Sequence, residues 1–154
     1  MTKTCGGCTL CCKVMALTGE ELQKPRGLVC HHLIAEKGCG IYDTRPYECR
    51  AFKCQWLSED WLHWPEEMRP DRCHVMFYSA MDNKGLVADC DPDQPGSWRN
   101  PYVLRALIYV LKTEGAVYVR SGDTEVAITA PPADVPDATV MDALEKSLEQ
   151  AFNR

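Results

Sequence analysis

The sequence predicts an α+β fold. It consists of a cysteine-rich, metal-organised N-terminal region of short helices and loops, packed on a small antiparallel sheet of two hairpins with two C-terminal helices. Three observations lead there. Eight of the 10 cysteines fall in residues 5–54, where apolar and polar residues hardly alternate. The stretch "AVYVRSGDTEVAITA" alternates cleanly on both sides of a Gly-Asp turn. Between Asn100 and Gly115 an apolar stripe recurs at helical spacing. The 154 residues suit a single domain over 1–154, with a cysteine-cluster region at 1–55 and an α+β scaffold at 73–154.

Each element has a local reason. A helix beginning near Cys8 places Cys8, Cys11 and Cys12 at i, i+3 and i+4, on one face. In "GCGIYDTRPYECRAFKC", Thr44 is a candidate N-cap and Arg45-Pro46 opens a helix. On it Cys49 and Cys54 lie roughly 140° apart around the axis, so they converge on one ion only if the helix ends between them. Residues 56–72, dense in Trp, Pro and charge, predict short helical turns and a connecting loop. "CHVMFYSAMDNKGLVADC" reads as two strands around a turn at Asp82-Asn83-Lys84-Gly85. That register sets Cys73 opposite residue 94, and Cys73 and Cys90 read as half-buried strand residues outside the cluster.

The C-terminal elements are more sharply marked. Asn100 suits an N-cap, Pro101 the first helical position and Gly115 the exit. Val103, Leu104, Leu107, Ile108 and Leu111 form the buried stripe. A Gly122-Asp123 turn pairs Val119 with Val126 and Val117 with Ile128, with Arg120 opposite Glu125 on the other face. A last helix starts near Pro136, with Met141, Leu144 and Leu148 facing inward. No internal repeat or low-complexity segment interrupts this order.

Composition excludes some functions. A net charge of −5 argues against a nucleic-acid or anionic-membrane surface. No run approaches the ~20 apolar residues of a membrane span, and "MTKTCGGCTLCC" has no apolar h-region of a secretory signal, so a cytoplasmic location is expected. In that reducing compartment crowded thiols are ligands or nucleophiles rather than disulfides.

"CGGC" is a C-x2-C step whose spacing lets two thiolates reach one ion, a half-site used for zinc and for iron–sulfur clusters. No thioredoxin-like βαβ pattern surrounds it. The candidate metal ligands are Cys5, Cys8, Cys11, Cys12, Cys30, Cys39, Cys49 and Cys54. Adjacent side chains close one tetrahedron poorly, so Cys11 and Cys12 are expected to do different jobs. On the single-face helix, Cys12 would share a centre with Cys5 or Cys8, and Cys11 would serve the other or bridge. Lys13, Arg45, Arg50 and Lys53 flank the cysteines and are candidates to offset thiolate charge. His31 and His32 are weaker ligand candidates.

The order C-x2-C-x2-C-C, then Cys30 and Cys39, then "IYDTRPYECRAF", resembles the CxxCxxCC family of putative zinc- or iron-chelating proteins. The resemblance covers about residues 5–54 and implies metal chelation. The cysteine cluster is also similar to one in flagellin lysine methylases, where it implies an iron–sulfur centre. This chain is far shorter than those enzymes and lacks a Gly-rich methyl-donor loop.

Three readings follow. The first is a protein holding one or two ions, zinc foremost, through closed all-thiolate sites without catalysis, since no general base stands beside them. The second is an iron–sulfur protein with redox or enzymatic work, because soft thiolates serve iron equally. The third is a metal carrier, which needs an exposed, exchangeable site.

Overall fold

The computed structural model describes residues 3–58, 64–80 and 85–153. The chain runs through α1 (Leu10–Val14), β1 (Leu17–Thr18), β2 (Gln23–Lys24), β3 (Leu33–Ile34) and β4 (Gly38–Cys39). After these come α2 (Tyr47–Ala51), α3 (Gln55–Ser58), α4 (Pro70–Cys73), β5 (Val75–Ser79) and β6 (Leu86–Cys90). The C-terminal part is α5 (Pro101–Glu114), β7 (Ala116–Ser121), β8 (Thr124–Thr129) and α6 (Asp137–Phe152). The α+β class is as expected, and among the described residues the cysteine-rich part has only the two-residue pairs β1–β2 and β3–β4 as strand structure.

The main sheet has the order β5-β6-β7-β8. Its two hairpins are antiparallel, but they join through a parallel pair, β6 with β7, so the expected all-antiparallel sheet is a mixed one. The reason is α5. A helix packed on the sheet between β6 and β7 carries the chain back to the end where β6 began, and the next strand then runs in the same direction. The second hairpin has the predicted register, with Val119 opposite Val126, Val117 opposite Ile128 and Arg120 opposite Glu125. The first does not. Val75 pairs with Cys90, not with the partner a turn at 82–85 sets, and residues 82–84 of that turn lie outside the described residues. Cys73 is no strand residue: it ends α4 and, like Cys90, is fully buried.

Helix termini follow their sequence signals. The Asn100 side chain accepts from the Tyr102 N–H at 2.9 Å, Pro101 opens α5, and Gly115 closes it at φ 81°, a conformation that suits glycine. In α6 the fully buried stripe is Val140, Leu144 and Leu148, and Met141 sits at its edge, half-buried. Thr44 does not cap α2. Pro46 holds Arg45 extended (φ −55°, ψ 144°), so the helix begins later, at Tyr47.

Strand alternation gives the sheet two buried faces. Val75, Phe77, Leu86, Ala88, Cys90, Val117 and Val119 meet α5 and α6 in the main core. Met76 turns the other way, onto Leu10 and Val14 of α1, and Phe52 meets Tyr78 edge-on at 6.0 Å. The cysteine-rich region is therefore a third layer over the sheet, and β6 is buried along its whole length. Asp89, fully buried on that second face, is answered by Arg26. One guanidinium nitrogen reaches Oδ1 at 2.7 Å and the other contacts Oδ2. The Tyr78 hydroxyl donates to the same carboxylate at 3.0 Å and accepts from Arg120 at 3.0 Å. Burial first, then the Asp89 charge, push the Tyr78 phenol up to about 12, which keeps it a donor.

Arg26→Ala should lower unfolding free energy by about 2–3 kcal/mol, because removing one partner leaves a buried carboxylate unpaired. A urea melt followed by tryptophan fluorescence measures this. An unchanged midpoint would show that the layer is held on the sheet without the pair.

Candidate metal centre

The first cysteines are placed by a turn. Gly6 adopts φ 51°, and the Cys8 N–H donates to the Cys5 carbonyl at 2.9 Å. Helix α1 starts only at Leu10, so Cys8 precedes it and the three thiols do not share one helical face. Further on, α2 ends at Ala51 and Phe52 is extended (φ −73°, ψ 129°). Cys54 then opens the next turn, its carbonyl accepting from the Leu57 and Ser58 N–H groups at 3.0 Å each. The helix does end between Cys49 and Cys54.

All eight expected ligands border two adjoining cavities. The smaller, about 50 Å³, is lined by Cys5, Cys8, Cys11, Cys49 and Cys54, backed by Trp56, Leu57, Pro70 and Met76. The larger, about 420 Å³, is lined by Cys12, Cys30 and Cys39 together with Cys5, Cys8, Cys11 and Cys49. Electrostatic neighbourhoods divide them further. Burial raises the Cys8 thiol, with Cys54 adding to the rise, and burial raises Cys54, with Cys5 adding to it. Burial likewise raises Cys49, but its sulfur neighbours are Cys12, Cys30 and Cys39. Cys5, Cys8, Cys11 and Cys54 thus form an inner group, three of them packed on the core, and Cys12, Cys30, Cys39 and Cys49 an outer group. Cys5, Cys8, Cys11 and Cys49 border both cavities.

The groups meet at Cys11 and Cys12. The Cys12 side chain is the largest influence on Cys11, which it raises, and the Cys11 side chain is the largest on Cys12, which it lowers. Cys5 and Cys8 also act on Cys11. By neighbourhood Cys11 goes with Cys5 and Cys8, and Cys12 with Cys49. A helix start two residues further along the chain is the physical cause.

The charge partners are only partly those the sequence marked. Arg45 borders both cavities, lies 3.8 Å over the Tyr42 ring and donates Nε–H to the Tyr42 carbonyl at 2.9 Å. Lys13 turns away to Asp93 at 2.9 Å and Asp91 at 3.5 Å, while Arg50 and Lys53 are exposed. Two groups escaped the sequence reading. Lys24 is buried and donates to the Leu28, Pro25 and Lys13 carbonyls at 2.6, 3.2 and 3.5 Å, with no carboxylate partner among the described residues. Burial lowers its pKa, and the sulfurs of Cys30, Cys12 and Cys11 oppose that shift. Glu48 borders the larger cavity with Oε2 buried and unpartnered, and a Cβ on Gly19 would lie 1.8 Å from its Oε1. Only a glycine at 19 leaves that carboxylate its place. His32 borders the larger cavity, whereas His31 is exposed.

Among the described residues, no three Cys, His, Asp or Glu side chains already stand at ion-holding distance, so coordination requires the sulfurs to close inward. The donor chemistry fits soft metals. Buried thiols that raise one another's pKa resist ionisation, and a divalent cation among them reverses that balance. Two four-thiol groups match the ligand count of two closed zinc sites, and thiolates serve iron clusters as well. Compared with protein-family models, curated proteins and solved structures, the chain matches none.

Cys73 and Cys90 border neither cavity and are sealed in the main core, where burial raises their thiols to about 12 and about 11. Cys73→Ser and Cys90→Ser should leave metal per chain unchanged while lowering stability by about 1–3 kcal/mol, the cost of a poorly accommodated hydroxyl. Metal analysis and a melt on each variant check both parts. A lost equivalent of metal would redraw the boundary of the centre.

Proposed function

We propose that the protein binds metal through two four-cysteine groups, each taking one ion, with zinc the best match. What supports this reading above all is convergence. Cysteines drawn from five separate segments between residues 5 and 54 border two adjoining cavities, while Cys73 and Cys90 stand apart. Cys5, Cys8, Cys11 and Cys54 would hold the inner ion, and Cys12, Cys30, Cys39 and Cys49 the outer. Bound zinc would supply charge neutralisation and cross-linking of loops with almost no apolar core of their own. Lys24 and Arg45 would offset the negative charge of the outer tetrathiolate. The likeness to the CxxCxxCC proteins belongs to the same proposal, as does a reducing, cytoplasmic setting in which free thiols persist.

One observation favours a second reading. Cys11 and Cys12 are consecutive and border the same cavity with five of the other six candidate cysteines, and its 420 Å³ exceed what two bare ions need. A single iron–sulfur cluster would use both features.

Metal content and a visible spectrum of anaerobically purified protein separate the readings. Zinc near two equivalents with a colourless solution is expected. Brown protein absorbing near roughly 400 nm, as thiolate-bound clusters do, would replace the zinc reading with the cluster one. Removing the metal should speed hydrogen exchange across residues 5–54 and leave α5, β7 and β8 protected. Slow exchange in 5–54 after complete removal would show that coordination does not order the region.

A further inference from the structure

The two cysteine groups are built into very different surroundings. Cys8, Cys11 and Cys54 of the inner group pack against buried Leu10, Val14 and Met76, beside a cavity of about 50 Å³. Cys54 also touches the main core and leads directly into α3, where Trp56 is buried. Opening this group would strip apolar contacts from the underside of the sheet.

Apart from Cys12, which is carried on α1, the outer group has no such backing. Cys39 lies in a two-residue strand, and Cys49 in a five-residue helix with no buried residue. Cys30 is buried, but Leu28 and Val29 before it are 58% and 57% exposed. Among the described residues, Cys30, Cys39 and Cys49 do not pack against either hydrophobic cluster. The void of about 420 Å³ also touches Cys5, Cys8 and Cys11, but Cys12, Cys30 and Cys39 border this void only. It is wide enough for an incoming ligand to reach an ion held by them. Segments with few buried apolar contacts open at low free energy, while the core stays closed.

From this asymmetry we infer that the outer group is an exchange site, which gives its ion to an acceptor bearing its own soft or chelating donors, and that the inner group is a permanent structural site. The inference rests on the two-ion reading above. Exchange is a ligand substitution with no change of oxidation state. Donor atoms of the acceptor replace the sulfurs of Cys49, Cys39, Cys30 and Cys12 one at a time, and each released thiolate takes a proton from solvent. The inner ion meanwhile keeps α1 and the start of α3 in place, so the emptied outer group is ready to reload.

The test uses full-length protein loaded with zinc, with the chromogenic chelator 4-(2-pyridylazo)resorcinol as acceptor. One equivalent should leave in a fast phase and the second at least roughly ten-fold more slowly, reflecting the difference in local opening. Cys39→Ser should abolish the fast phase and keep the slow one. Because Cys54→Ser removes a core-packed side chain and can fail to fold, the inner group is followed in the wild-type chain by pulsed iodoacetamide labelling and peptide mass spectrometry. Cys12, Cys30, Cys39 and Cys49 should be labelled before Cys5, Cys8, Cys11 and Cys54. Two equivalents leaving with one rate constant, or all eight sulfurs labelled together, would overturn the exchange site and leave metal binding intact. A chain that retains no zinc at all would overturn the binding reading as well.

Discussion

A carboxylate in the middle of a sheet has to be answered by a cation, and in this protein the answer comes from another layer. Asp89 is fully buried on β6, and Arg26 reaches it from the loop after β2. Without that layer, Asp89, Met76 and Tyr78 would face water. Without the sheet, Leu10 and Val14 of the layer would lose the Met76 and Tyr78 they pack on. Each side thus completes the other, and the cysteines occupy the seam. Lys13 adds a tie at the same edge, reaching Asp91, which also accepts from the Asp93 N–H at 3.0 Å and lies 3.3 Å from His74 Nδ1.

The seam carries an uneven charge. Near the outer sulfurs stand Lys24, whose ammonium is met only by carbonyls among the described residues, and Arg45. Near the inner sulfurs Arg69 donates to the Cys5 carbonyl at 3.4 Å, but it is also paired with Asp71 at 2.9 Å. Asp71 itself helps raise Cys8. Arg45 borders both cavities, so what sets the outer side apart is Lys24 together with the Glu48 carboxylate, while the inner side is closed by apolar residues. Negative charge is easier to gather where Lys24 stands, and harder to disperse where Trp56 and Pro70 close in.

The sequence was most legible where the chain obeys a local period. Helix α5 and the β7–β8 hairpin carry their caps, turn and apolar stripe in consecutive residues, and both formed as read. The eight cysteines were legible by type, and they do border common cavities. Which of them neighbour one another was not, because that depends on α1 starting at Leu10 and on a proline delaying α2, shifts of a residue or two that turn a side chain. The parallel β6–β7 pair was hidden because each hairpin reads the same whichever way its neighbour runs. Lys24, Glu48 and Asp89 gave no signal at all. A charged residue in a short polar stretch looks solvated until the fold buries it.

Cys11 and Cys12 are consecutive, so a single five-residue helix carries one sulfur of each group. Such a helix cannot shift for one group without shifting for the other. Whatever pins Cys11 also sets the position and direction from which Cys12 must act. Under the proposed ion binding, the two sites are thermodynamically linked. Linkage is reciprocal, so the factor by which a filled inner site alters the affinity of the outer one equals the factor in the opposite order. The affinity of the outer group is then not its own property, and removing the inner ion changes it by the same factor by which removing the outer ion changes the inner.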